Sequence, residues 1–313
     1  MPGRRSLLLG LGAALAAPPR LGVAGSAGRV TLMSGATEGG AADNWVRAFA
    51  PFLERHLPRR SVEVVSRSGL GGLSMLNALV DAAPDGRMLG HVLTPELLAR
   101  AVEQGAPDMP LRLRFLGSVA EEPVVLVASP GVDLAELRAL GDGGVLGLPP
   151  AGTGAALAAS GLVGLLSLSP LNFPSGAAAR QAALSGNVAA ALVRLPDTIA
   201  ALRDGRLSAV GVASDRRCEL LGDVPTLAEQ GVPVRAASRR GFVLPLGVPD
   251  ELARPLAAAL RDAVSDPEYA AQAQALGSLP RYLDEAAWTD LVRRDLAALT
   301  KRWATAPWVA PAG

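Results

Sequence analysis

The side chains able to do chemistry are few. Two histidines, His56 and His91, one cysteine, Cys218, and one lysine, Lys301, stand in a chain of 313 residues. Zinc needs three or four Cys, His or carboxylate ligands gathered in one place, so no Cys/His metal centre is expected. No G-x-S-x-G elbow surrounds Ser34, Ser74 or Ser175, and neither histidine has an acidic orienter beside it in sequence. A lone lysine far from any glycine-rich loop excludes a P-loop. Gly152-Thr153-Gly154 fails as a dinucleotide fingerprint, because Leu157 stands where the third glycine belongs and no acidic residue follows about 20 residues on. Neither a catalytic set nor a cofactor is expected.

Three glycine-rich loops remain: Gly35 to Asp43, Ser66 to Gly72 and Ala151 to Ala155. Each leads from a β-like run into a helix-like one. Loop amides and helix N-termini there offer unpaired donors suited to anions, outside the carboxyl ends of the strands. One such loop is no more than a tight turn, whereas three together point to a cleft.

The elements that must position these loops alternate along the chain. Strands are predicted at 29–33, 61–65, 88–93, 115–119, 124–128, 144–148, 188–193 and 207–213. Helices are predicted at 43–56, 73–82, 134–140, 196–203, 249–264 and 284–303, from apolar residues at helical spacing such as Trp45, Val46, Phe49, Phe52 and Leu53. Such alternation implies a parallel or mixed sheet with covering helices. His56 ends a predicted helix, and His91 sits in a β-like apolar run. The apolar run 155–168 falls short of the roughly 18 residues a membrane span requires and is broken by Gly161 and Gly164, so it reads as a buried helix.

Half of the residues are hydrophobic and 19% are charged, enough for a sizeable core. The formal charge of +1 argues against a nucleic-acid partner. A single cysteine excludes an intramolecular disulfide. Arg4-Arg5 before an apolar stretch from Leu7 to Ala17, then small residues around Ala24 to Ala27, read as a cleaved export signal over 1–28, of twin-arginine type. Its removal takes away Arg4, Arg5 and Arg20 and leaves a nearly neutral mature chain. A soluble periplasmic protein, working as a monomer, is expected. From Gly143 to Pro196 there is no acidic residue, and the only charges are Arg180 and Arg194.

Several blocks carry a resemblance. Gly39-Gly40-Ala41-Ala42-Asp43 with Arg47, Ser66-Arg67-Ser68-Gly69-Leu70-Gly71-Gly72, and Ala83-Pro84-Asp85-Gly86 come first. Leu202-Arg-Asp-Gly205-Arg-Leu207 and Asp223-Val-Pro-Thr-Leu-Ala-Glu-Gln-Gly231-Val-Pro233 follow at matching separations. The chain resembles, almost end to end, the Bug family, the extracytoplasmic solute receptors of tripartite tricarboxylate transporters. That resemblance implies an α/β fold of the two-domain periplasmic-binding-protein (Venus-flytrap) type, with mixed sheets covered by helices and a cleft between the domains. Domain one would comprise 29–127 and 241–313, and domain two 128–240. The ligand would be a small carboxylate, the partner the membrane subunits of a tripartite transporter, and no reaction would be performed.

The resemblance places the ligand at Gly39, Gly40 and Asp43 from one domain and at Gly152, Thr153 and Gly154 from the other. A carboxylate at Asp43 caps its helix more readily than it meets an anion, although a ligand ammonium would reverse that. The chain departs from the family pattern around the cleft: Gly186-Asn187-Val188-Ala189 lacks the Asp usual after a Gly-x-Val start, Pro174-Ser175 precede Gly176, Arg194 replaces a neutral residue, and Arg239-Arg240 precede Gly241. With an acid lost and arginines gained, Arg194 with Arg239 or Arg240 is expected to offer bidentate forks to a multicarboxylate, beside Ser175. Two other readings stay open: a ligand-sensing accessory to a membrane sensor kinase, and an exported α/β enzyme on a similar scaffold.

Overall fold

Strand β1 (Gly28–Ser34) places Val30, Leu32 and Met33 against the interior, and its successor α1 (Ala41–Arg55) buries Val46, Phe49, Phe52 and Leu53 along one stripe. Each such side chain contributes about 1.5–3 kcal/mol when fully removed from water. The computed structural model describes residues 28–309. The export-signal reading therefore lies outside the described residues, apart from Gly28. β2 (Arg60–Ser66) alternates half-buried and exposed positions, as an edge strand does. Then come α2 (Leu73–Val80), β3 (Met88–Thr94) and α3 (Glu96–Glu103).

The next strand, β4 (Leu113–Ala128), is sixteen residues long and belongs to both sheets of the molecule. It is followed by α4 (Leu134–Leu140), β5 (Val145–Leu148), α5 (Gly154–Leu166), β6 (Ser169–Asn172), α6 (Gly176–Leu184), β7 (Ala190–Arg194), α7 (Leu195–Arg203) and β8 (Ser208–Val212). β9 (Ala237–Pro245), α8 (Asp250–Val264), α9 (Pro267–Ala275), β10 (Leu279–Asp284) and α10 (Glu285–Thr305) complete the order.

In the first sheet β1 lies between β2 and β3, all parallel, and β9 runs antiparallel between β3 and β4. β10 pairs with β4. In the second sheet residues Val124 to Ala128 of β4 pair antiparallel with β7 and β8, while β5 runs parallel to both β7 and β6. Sequence patterning expects two strands at 115–119 and 124–128; the structure joins them. Glu121, Glu122 and Pro123, which look like a break, continue the ladder opposite Arg239, Ser238 and Ala237.

Helices cover both sheets, and separate apolar clusters fill the two sides of each. Phe49, Phe242 and Leu256 belong to one cluster of the first sheet, and Met75, Leu98 and Trp288 to the other. Leu126, Leu162 and Leu192 fill one side of the second, and Val125, Val193 and Ile199 its other side. The fold class is thus the expected mixed α/β arrangement of two sheets wrapped in helices. Helices α3, α6 and α9 and strands β6 and β10 carry too short a pattern to be foreseen. Among the described residues no helix is long and apolar enough to cross a membrane.

Candidate functional site

All three glycine-rich loops reach one cavity of about 470 Å³. Gly35 to Thr37 come from the β1–α1 turn, Ser68, Gly69, Gly71 and Gly72 from the β2–α2 turn, and Pro150 to Thr153 from the β5–α5 turn. The fourth wall is β3 with α3: His91 to Leu93, Glu96, Arg100 and Glu103. Loops of the first sheet thereby face a loop of the second. Among the described residues no group of three or more His, Cys, Asp or Glu could hold a metal ion.

Gly39 and Gly40 turn the chain into α1 and do not themselves line the cavity. Gly39 adopts the left-handed φ of 73°, and Gly40 is the extended N-cap. Asp43 is not that cap. It sits in the first turn, fully buried, and its carboxylate reaches back to accept from the Gly39 amide (3.0 Å), Arg47 Nε (2.8 Å) and the Ser66 hydroxyl (2.5 Å). Burial alone would raise its pKa, but the Ser66, Arg47 and Gly39 donors hold it at about 2. With its oxygens spoken for, Asp43 fixes the β1–α1 loop rather than touching a ligand.

Thr153 caps α5, accepting from the Ala156 amide and donating to the Pro150 carbonyl at 2.8 Å. Gly152 has a φ of 83°, and a Cβ there would lie 2.6 Å from Glu103 Oε1. Only glycine lets the loop pass so near. The Gly154 amide points at Glu96 Oε1 (3.2 Å), which also accepts from the Ser238 hydroxyl (2.5 Å). A donor expected to hold a ligand carboxylate is thus occupied by a carboxylate of the chain. Glu96 Oε2 is buried without a partner. Glu103, about two turns further along α3, meets Arg100 at 2.6 Å and accepts from Trp308 Nε1 at 2.5 Å.

The expected arginine forks are turned elsewhere. Arg194 donates to Glu122 at 2.6 Å and lies 3.3 Å from Asp197, and it lines no cavity described here. Arg240 is bound to the other Glu122 oxygen at 2.5 Å, with its guanidinium 4.9 Å from the Trp45 ring centroid. Arg239 meets Glu121 at 2.6 Å and lines a second, larger cavity of about 700 Å³ bordered by α5, α10 and the chain from Val212 to Cys218. The cause lies in β4, whose adjacent acids Glu121, opposite Arg239, and Glu122, opposite Ser238, take up Arg239 and the pair Arg240 and Arg194 respectively. Ser175 is likewise displaced from the site, capping α6 by accepting from the Ala178 amide at 3.1 Å.

His91 lines the first cavity while packed between Trp45 and Phe242. Burial, helped by the positive charge of Arg240, pushes its pKa well below the ordinary histidine value, so the ring is neutral at pH 7. Its Nε2 has no partner. His56 lies at the end of α1, 3.4 Å from Asp266. Sequence reasoning missed Glu96, Arg100 and Glu103. Their only signal was Pro95-Glu96 directly after β3, a weak helix start.

The family model for the tripartite tricarboxylate transporter family receptor matches residues 47–299. Among solved structures, a solute-binding protein from Polaromonas superposes with a TM-score of 0.74 at 22% identity, covering 87% of this chain and 96% of that one. MatC from Rhodopseudomonas palustris, solved with bound malate, gives 0.68 at 24% identity over 87% of this chain and 98% of its own. An R. palustris protein solved with adipate gives 0.69 at 20% identity, over 88% and 95%. At these identities the likeness is one of fold. No curated protein sequence matches the chain.

Proposed function

The chain belongs to the tripartite tricarboxylate transporter receptor family, and on that footing we propose that it captures a small carboxylate in the cavity between its sheets and delivers it to the membrane subunits of such a transporter. One observation carries this reading: glycine-rich loops from both sheets converge on a single cavity of about 470 Å³, a size suited to a small organic ligand. The relatives solved with malate and adipate support the carboxylate class.

The protein acts in the periplasm as a monomer, without catalysis. Its working bodies are residues 29–127 with 241–313, and 128–240, and they close on the ligand about β4 and β9. The ligand is held by loop amides at Gly35, Thr37, Gly71 and Gly152, on the lining of this cavity. Ligand dependence of thermal unfolding tests this. A ligand at about 100 times its Kd adds roughly 2.7 kcal/mol to the folded state. A panel of mono-, di- and tricarboxylates, amino acids and neutral aromatics should give a stabilising carboxylate that is recovered unchanged. Chemical conversion of the ligand would favour the enzyme reading instead, and a panel without any shift would remove the receptor reading.

A further inference from the structure

We propose that Arg100 is a specificity-determining residue of the cavity, whose guanidinium takes the far carboxylate of the solute, so that the protein binds a dicarboxylate in preference to an acid with one carboxylate. The inference rests on the reading of this cavity as the solute site and adds a charged anchor to its loop amides.

Glu96, Arg100 and Glu103 stand at i, i+4 and i+7 of α3, along one stripe of the helix, and all three line the cavity. The backbone groups of a helix are paired within it, so a residue in mid-helix reaches a neighbouring cavity through its side chain. Arg100 is the one Lys or Arg on this lining among the described residues. Its side chain is 39% exposed, whereas that of Glu103 is 6% exposed.

Two glycines make room for the Arg100–Glu103 pair. At Gly71, with a φ of 66°, a Cβ would lie 2.6 Å from Arg100 Nε. The Glu103 end lies equally close to Gly152, on the loop of the second sheet. Both glycines line the cavity, so the pair lies on its wall between a loop of one sheet and a loop of the other. A side chain at either glycine would push the pair out of place.

The two acids of the stripe have their charges met within the chain. Glu103 holds Arg100 with Oε2 and accepts from Trp308 Nε1 with Oε1, which fixes the guanidinium from one side. Glu96 accepts from the Gly154 amide and the Ser238 hydroxyl, and the positive charge of Arg194 acts on it. His91 is neutral. Beyond the contact with Glu103, the guanidinium has no ion-pair or hydrogen-bond partner among the described residues. An arginine is always charged and presents its N–H donors in a planar fork that matches a carboxylate. Loop amides suffice for one carboxylate of the solute, and Arg100 supplies the donors for another.

Matched probes decide the matter by calorimetric titration of the purified protein. Succinate, glutarate and adipate are each compared with their own monoamide, in which a neutral group of nearly the same size replaces one carboxylate. The best-bound dicarboxylate is expected to bind at least about tenfold more tightly than its monoamide, and Arg100→Gln to bring that ratio to about one. Because the ratio is taken within one protein, general loss of stability does not mimic the effect. Arg100→Lys, which keeps the charge and loses the fork, is expected to give a ratio between the two. If the Gln variant does not fold, the wild-type ratio and the Lys variant decide. A wild-type ratio near one, a ratio that the substitutions leave unmoved, or an acid with one carboxylate that outcompetes every dicarboxylate would overturn the assignment while leaving a receptor. No binding by any probe or panel member would overturn the receptor reading and this inference together.

Discussion

Arg194 and Glu122 meet at 2.6 Å, joining the boundary of β7 and α7 to the strand that both sheets share. Arg240 approaches the other oxygen at 2.5 Å, so one buried carboxylate carries two guanidiniums from different strands. Burial alone would raise the Glu122 pKa; Arg240 and Arg194 overcome it and hold the group below the usual glutamate range. The link is therefore structural. Arg194→Met is expected to cost about 3 kcal/mol, because it strips a buried charge of one partner. Denaturant midpoints would show it, and a midpoint equal to wild type would contradict it. Ligand preference should not move, since Arg194 lines neither cavity.

Acid should weaken the fold in two stages. His91 binds its proton less readily when folded, so the unfolded chain takes up more protons as pH drops below about 6.5, and stability is lost from there downward. Glu122 has the opposite chemistry and the same sign. Its contribution is present above the ordinary glutamate pKa and is lost as pH falls through the lowered folded value. The melting temperature of His91→Gln should fall less between pH 7 and pH 5 than that of wild type, by about 2 °C or more for each kcal/mol removed. Parallel curves for the two proteins would be inconsistent with a buried neutral ring.

Ser175→Ala should behave as the loss of a helix cap and nothing else. Its hydroxyl accepts from the Ala178 amide. We expect about 1 kcal/mol of destabilisation, with every ligand affinity unchanged. A weakened ligand would return Ser175 to the site.

Gly241 has no room for a side chain. A Cβ there would collide with the Gly117 carbonyl and the Trp288 ring. Gly241→Ala is expected to cost about 1–3 kcal/mol through overpacking, read as a lower unfolding midpoint. A variant as stable as wild type would mean that β9 and α10 are free to separate here.

The periodic segments were legible because their burial is one-sided. α1 and α8 present apolar stripes, and the strands of the first sheet sit between turn residues, so the patterns survive in sequence. What escaped was governed by partners far away in the chain. The charged Glu121-Glu122-Pro123 segment looks like a loop until the β9 arginines are laid beside it. The loops of the site were found from their glycines, but the donor at Gly154 looked open because its occupant, Glu96, lies 58 residues earlier. Arg194 and Arg239 looked like ligand forks for the same reason: sequence shows the residue type, not which acid stands opposite.

The order of strands also bears on how the chain is made. β9 lies between β3 and β4, yet it is synthesised more than a hundred residues after either. A nascent chain emerging N-terminus first can build the β1–β2–β3 layer and much of the second sheet while the facing edges of β3 and β4 have no neighbour. Such edges invite pairing with other chains. The two halves of the first sheet are joined only when residue 245 has left the ribosome, so a chain truncated before β9 should be aggregation-prone although most of its length is present.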